Sequence, residues 1–357
     1  MATFGFNKKQ FNRRWQQELS ELKSHSQLDL SAQEISFRPA PLRSGRILVV
    51  GAAVLDRIYY VDHLPQPGET AIGTRTEVHS GGKGANQALA ARRMDAEVHF
   101  LSAVGDDEAG EMVLQPLKEA GVDTSAVATI PGVATAEASI SVDARGENQI
   151  TACPGAYHQL SPEMIDACGD LFEWAQYLLI QNELPRPTVD RAIQLANEIG
   201  LRVVYNPAPF RHGAPPPPRG LYTIVPNEIE AAGLMGLPDY FSLTPRERMQ
   251  RWSGFGSEHV IVTLGRNGGE WFDPFGNRRA FEVEAEAAVD SVGAGDAFCG
   301  ILTALLAEGM DMDKAIRVAH SGASLSVTKH GAQEGLPTRE ELAAYLKLHP
   351  RDVTLRP

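Results

Sequence analysis

The chain has little of what would place it outside a cell or on nucleic acid. Its 357 residues include only three cysteines, Cys153, Cys168 and Cys299, none in a CxxC pair. So sparse and odd a set excludes a disulfide framework and a cysteine-rich zinc site, and it fits the reducing cytoplasm. Lys and Arg total 33 against 45 Asp and Glu, a formal net charge of -12. That balance argues against a nucleic-acid binder, which needs clustered cations. It leaves a nucleotide pocket open, because helix N-termini and backbone amides supply positive potential locally. No segment nears the roughly 18 consecutive apolar residues of a membrane span. The N-terminus lacks an apolar h-region, and Glu18, Glu21, Asp29 and Glu34 argue against a transit peptide. Two common phosphate loops are also missing: neither GxxxxGKS/T nor GxGxxG occurs.

What is present is ample apolar material. Hydrophobic residues make up 43% and charged residues 22%, enough for one large or two medium globular domains. Residues 1–44 read as an extension. Phe11, Trp15, Leu19 and Leu22 recur at helical spacing, so an amphipathic helix is expected, docked on its own domain or on another subunit or protein. From Arg46 a rhythm begins. "RILVVG", "VHFLSAVG", "YLLIQN", "RVVYNPAP" and "HVIVTLG" read as buried strands; Ala85–Met94, Glu108–Ala120, Pro162–Trp174 and Thr188–Ile199 read as helices between them. Apolar strands alternating with helices imply βαβ units and a parallel sheet covered on both faces. Such sheets bind ligands at the carboxyl ends of their strands. Two stretches, 57–80 and 136–155, instead have the turn-rich alternation of antiparallel strands and predict a small β-sheet lid. The main domain is expected over 45–348, with 349–357 as a C-terminal tail.

Two glycine motifs could carry chemistry. In "GGKGAN" (81–86), glycines let a backbone approach a ligand, Lys83 adds charge and the Asn86 amide can bond a polyol. In "DSVGAGD" (290–296), Gly293, Ala294 and Gly295 precede a helix whose first turn holds Asp296. Unpaired N–H groups at that helix start form an anion hole, with Asp296 beside it. The alternative is a helix cap by Asp296, but a cap requires neither the second glycine nor Asp290. Asn227 and Glu230 in "PNEIE" can hold water around Mg²⁺, or Asn227 is a plain N-cap. Asp56 and Glu183 follow strands and are candidates for binding hydroxyls.

These motifs, with "LPQPGET", "NPAP", "PNEIEA", "VTLGRNG" and "VTKHGAQEGLP" in the same order, resemble the PfkB (ribokinase-like) carbohydrate kinases over roughly 46–345. The resemblance implies a three-layer α/β/α fold with a mostly parallel sheet, and a β lid that also forms a homodimer contact. It implies transfer of the γ-phosphoryl of ATP to a sugar, with Asp296 as base and Gly293, Ala294 and Gly295 as anion hole. Asp56, Gly82, Lys83, Asn86 and Glu183 would hold the sugar. Asn227, Thr263, Gly265 and His320 would lie around ATP, with Glu230 on Mg²⁺ through water. Asp290, Val292, Ser326, Gly331 and Gly335 would surround a monovalent cation, K⁺ in most members. Neither nucleic acid nor membrane is an expected partner.

Three positions depart from the family pattern. Val54 stands where an Asn precedes the sugar-binding Asp, Tyr157 follows Gly155-Ala156 where "GAN" is usual, and Gly335 replaces a serine. The first two bear on sugar recognition. D-ribose is the acceptor the resemblance implies; another sugar such as a ketose or a deoxyribose, or a nucleoside, is the alternative. A non-catalytic sugar or nucleotide sensor is the alternative of another class.

Overall fold

The computed structural model describes residues 45–349, apart from 212, 214–215 and 284–287, together with the strand at 353–356. The stretch through Phe11, Trp15, Leu19 and Leu22 lies outside the described residues. The strands are β1 (Arg46–Val50), β2 (Val54–Val61), β3 (Gly73–Gly81), β4 (Glu97–Gly105), β5 (Val127–Ile130), β6 (Glu137–Val142), β7 (Asn148–Cys153), β8 (Tyr177–Gln181), β9 (Arg202–Asn206), β10 (Leu221–Ile224), β11 (Ser257–Thr263), β12 (Gly269–Phe272), β13 (Arg278–Val283) and β14 (Val353–Arg356). Ten form one sheet in the order β14-β13-β12-β11-β10-β9-β8-β1-β4-β5. The seven from β11 to β5 run parallel; the last three are antiparallel. The segment expected as a tail therefore includes β14, which extends the sheet edge by pairing with β13.

The strand sequences explain the layering. In β1, Ile47 and Val49 face one core while Leu48 and Val50 face the other, all four fully buried. Side chains alternate along a strand, so a strand covered on both faces reads as an unbroken apolar run. One face carries α1 (Lys83–Arg92), α2 (Glu108–Ala120), α8 (Ala294–Ala307), α9 (Met312–Ser326) and α10 (Arg339–Leu348). The other carries α3 (Pro162–Asp166), α4 (Gly169–Trp174), α5 (Arg186–Glu198), α6 (Glu228–Leu234) and α7 (Pro245–Ser253). The single helix expected over Pro162–Trp174 is broken in two, α3 and α4, at Ala167-Cys168, next to Gly169, where glycine weakens helical continuity.

The second sheet has the order β3-β2-β6-β7 and falls on the two segments expected as a lid. Asp56 is expected to follow the first strand, with Val54 two residues before it. Both lie at the start of β2: β1 stops at Val50, and 51–53 lead the chain across into the second sheet. There Val54 pairs with Gly81 and Asp56 with His79. The two side chains still share one face of a strand, because they are two residues apart.

Candidate active site

The carboxyl ends of β1, β8, β9, β10 and β11 lead into residues 51–53, 182–183, 207–209, 225–227 and 264–265, and the starts of α1 and α8 meet them there. The helix α8 is capped by Gly293, at φ 79°, with no side-chain cap bond. That left-handed backbone favours glycine. Space demands it too, because a Cβ there would stand 2.9 Å from the Cα and O of Ala332. Over Gly295 the space is open, with nothing within 4 Å of where a Cβ would stand. Asp296 is therefore not the cap. It sits inside the first turn, 6% exposed, and its carboxylate turns toward α1.

Two amides meet it there. Asn86 Nδ2 donates to Asp296 Oδ2 at 2.9 Å, and Gln87 Nε2 donates to Oδ1 at 2.9 Å. Both amides are held from behind. Gln333 Nε2 donates to Asn86 Oδ1 at 3.1 Å, and Gln181 Nε2 donates to Gln87 Oε1 at 2.7 Å. Gln87 Nε2 also reaches Asn206 Oδ1 at 3.2 Å, and Asn206 Nδ2 donates to the Val225 carbonyl at 2.8 Å. Both oxygens of this buried carboxylate therefore have a donor, which offsets the cost of burying them. The helices approach closely enough because Gly300 on α8 faces α1. A Cβ there would lie 2.5 Å from Gln87 O and 2.6 Å from Ala90 Cβ. Of this network the sequence reading picked out only Asn86 and Asp296. Gln181 and Asn206 end strands β8 and β9, so the strand-end rule that singled out Glu183 could have found them. Gln333 had no such signal.

Lys83 begins α1 among carboxylates. The charge of Asp296 raises its pKa above the usual value; burial opposes this, and Glu183 and Glu230 add to the rise. Glu183 Oε2 accepts from the Lys83 backbone N–H at 2.9 Å. Burial pushes the Glu183 carboxyl up to about 7, against the pull of the Lys83 charge, and Asp296 pushes it the same way. Burial likewise raises Asp56 to about 6, with His79 pulling it down. Gly82 turns the chain between β3 and α1 at φ 90°, where a Cβ would fall 2.6 Å from Ala52 O. Gly81 lies against the Asp56 carboxylate. Asp56, Gly82, Lys83, Asn86 and Glu183 thus gather around the start of α1.

Asn227 and Glu230 form a reciprocal cap on α6. Asn227 Oδ1 accepts from the N–H groups of Ile229 and Glu230 at 2.9 and 2.8 Å, and Glu230 Oε2 accepts from Asn227 N–H at 2.9 Å. The capping alternative is therefore real for Asn227, while Glu230 also senses Lys83 and Asp296. Among the described residues no group of three or more His, Cys, Asp or Glu could cage a metal. The pair suits a Mg²⁺ whose oxygens come mainly from phosphates and water. Thr263 ends β11, bridged to Asn227, and its N–H donates to Pro226 O at 3.0 Å. Gly265 follows with open space above it.

His320 is packed as an aromatic. It lies edge-on to Phe281 and Phe298, and its Nε2 is 3.2 Å from Gly268 O. Burial pushes its pKa down to about 4, so the ring is neutral at pH 7 and offers no charge to a phosphate. Asp290 ties two loops: its Oδ1 accepts from Val292 N–H at 3.0 Å and its Oδ2 from Gly331 N–H at 3.1 Å. The carbonyl oxygens of Ser326 and Gly331 converge beside Gly335, each 2.8 Å from where its Cβ would stand. The Ser326 hydroxyl is occupied by Ala323 O at 2.8 Å. Backbone carbonyls near a carboxylate make an oxygen-rich setting that fits a monovalent cation. Val292 is exposed and would contribute only its backbone.

The chain thus combines an uncapped, glycine-led helix start, a buried carboxylate held by two amides and a separate four-stranded sheet. Residues 44–339 match the model of the pfkB family carbohydrate kinases. A ribokinase of Haemophilus influenzae is 34% identical, over 84% of this chain and 98% of the relative. A deoxyribokinase of Salmonella typhi is also 34% identical, over 85% of this chain and 99% of the relative. Arabidopsis thaliana ribokinase, solved with ribose and ATP, superposes with a TM-score of 0.78 at 27% identity, covering 85% of this chain and 99% of the other. The chain belongs to the pfkB family of carbohydrate kinases. Its α/β/α fold with a separate four-stranded sheet is that of the solved ribokinases.

Proposed function

We propose that the protein is an ATP-dependent ribokinase, transferring the γ-phosphoryl of ATP to D-ribose to form D-ribose 5-phosphate. The observation that carries this reading is the Asp296 carboxylate beside an uncapped, glycine-led helix start. Its curated relatives include ribokinases, and a ribokinase of similar fold has been solved with ribose and ATP. Phosphoryl transfer needs positioning and charge stabilisation more than covalent help. Asp296 orients the sugar hydroxyl and takes its proton as the sugar oxygen bonds to phosphorus and the bond to ADP breaks. The N–H groups at the start of α8 face the transferred phosphoryl, and the macrodipole favours its charge. Asp56, Lys83, Asn86 and Glu183 hold the sugar, and the small sheet shields the site from water. Glu230 would hold Mg²⁺ through water, and the ion would supply positive charge against the phosphates. K⁺ beside Asp290 and the carbonyls of Ser326 and Gly331 would order the loop at Gly293.

Exposed apolar residues, Ile150 at 56% on β7 and Ile72 at 85% just before β3, suit a homodimer through the small sheet. Three cysteines without a disulfide suit the cytoplasm. Val54 supports a second acceptor: its methyls on the Asp56 face of β2 favour a sugar lacking a hydroxyl there, such as 2-deoxyribose. An ADP-release screen over pentoses, hexoses and nucleosides, with the phosphorylated position identified, tests the reading. D-ribose should lead. Binding of sugar and ATP without ADP release would favour a sensor.

A further inference from the structure

Resting on the reading of Asp296 as the base, we infer that Gln87 is a positioning residue for it, aimed by a chain of amides that ends on a backbone carbonyl. The chain has only one consistent polarity. The Val225 carbonyl can only accept, so Asn206 must present its Nδ2 there and turn its Oδ1 toward Gln87. Gln87 must then present Nε2, which serves both Asn206 Oδ1 and Asp296 Oδ1. Its Oε1 faces away and accepts from Gln181 Nε2 at 2.7 Å. A flipped Gln87 would set carbonyl oxygen against carboxylate and against Asn206 Oδ1. Backbone geometry at the end of β10 thus dictates which way an amide on α1 points, and that amide fixes the Oδ1 side of the base. All four side chains are at least nine-tenths buried, with Gln87 and Gln181 fully so. Water therefore has no easy route to replace a missing donor.

The arrangement has a catalytic consequence. A carboxylate held at one oxygen by Asn86 alone can swing about χ2, whereas two donors on opposite oxygens leave one orientation. A base aligned before the hydroxyl arrives loses little freedom in the transition state. Gln87 reaches neither sugar nor nucleotide in this role; it acts through Asp296.

The test is a double-mutant cycle in kcat. Gln87→Leu should lower kcat about 10- to 100-fold, the scale of a misplaced catalytic group, with the KM for sugar changed less than about threefold. In an Asp296→Asn background the same substitution should have almost no further effect, since residues acting as a unit are non-additive. Gln181→Met, one step further from the base, should show a smaller kcat loss and the same non-additivity. It keeps the test alive should Gln87→Leu fail to fold, as judged by circular dichroism and Tm. Equal losses in both backgrounds, or a loss only in KM, would overturn the inference. If Asp296→Asn itself turns over normally, the reading of the base fails instead; if Asp296→Asn is impaired and Gln87→Leu is not, only the role of Gln87 fails.

Discussion

Replacing Gly300 by Ala puts the close contact of α1 and α8 to the test at a position away from any bound group. The added Cβ would meet Ala90 Cβ at 2.6 Å and Gln87 O at 2.5 Å, with Ala91 N at 3.0 Å. Carbon atoms rest at about 3.5–4.0 Å, so α1 must retreat by roughly 1 Å. Overpacking of this kind costs about 1–3 kcal/mol, and the better helix propensity of Ala returns about 1. Net destabilisation should be about 0–2 kcal/mol, visible in thermal melts as a small loss of Tm. The larger effect is on the base. The bonds from Asn86 and Gln87 to Asp296, both 2.9 Å, would stretch to about 3.9 Å, beyond hydrogen-bond range. A shift of 1 Å in a catalytic group can lower turnover by about 100-fold. ADP release under saturating sugar and ATP should therefore fall far more than stability does. A variant with wild-type kcat and Tm would refute the claim that this helix contact holds the base.

Val54→Asn should raise kcat/KM for D-ribose relative to 2-deoxyribose, by about one to two decades if it satisfies a buried hydroxyl worth about 1–3 kcal/mol; a variant that only loses activity on both sugars would show that Val54 does not face the acceptor. Sugar binding should weaken as pH falls below about 7, because Glu183 and then Asp56, raised to about 7 and about 6, take up protons and stop accepting from hydroxyls. Stability runs the other way. The folded Glu183 carboxyl keeps its proton above the unfolded value of 4.5, so its contribution is present below that pH and is lost as pH rises through about 7. Glu183→Gln should thus melt higher than wild type at pH 8, converge with it near pH 4, and lose sugar affinity most at pH 8, where the wild-type carboxyl is ionised; an unchanged melting difference would contradict the shift. Exchanging K⁺ for Na⁺ or choline at equal ionic strength should lower activity, and indifference would remove the cation from the loop at Asp290.

Much of the fold was legible because its signals are local. Apolar runs ending in Gly51, Gly105 and Gly265 announce strands buried on both faces, and the amphipathic α2 and α5 fall close to where their periodicity puts them. The glycine motifs were legible for the same reason, since Gly82 and Gly293 stand at positive φ before helices. What escaped was non-local. Nothing near Val54 says that the chain has already left β1 for another sheet. Gln87 and Asp296 are 209 residues apart, and their meeting depends on Gly300 facing Ala90. The packing of His320 edge-on to Phe281 and Phe298 also joins residues far apart in the chain. The 353–356 strand is short, and only the edge of β13 makes it one.

The most direct measurement is the turnover of Asp296→Asn with D-ribose and ATP, alongside calorimetric binding of the sugar. The substitution keeps size and burial but removes the proton acceptor; its NH2 group faces one of the two donors, Asn86 or Gln87, so folding is checked by Tm alongside. A general base is worth about 10²–10⁴-fold, so kcat should fall by that factor while ribose affinity changes by less than about threefold. Near-normal ADP release from the folded variant would contradict the account, and would reduce Asp296 to a buried acid at the start of a helix.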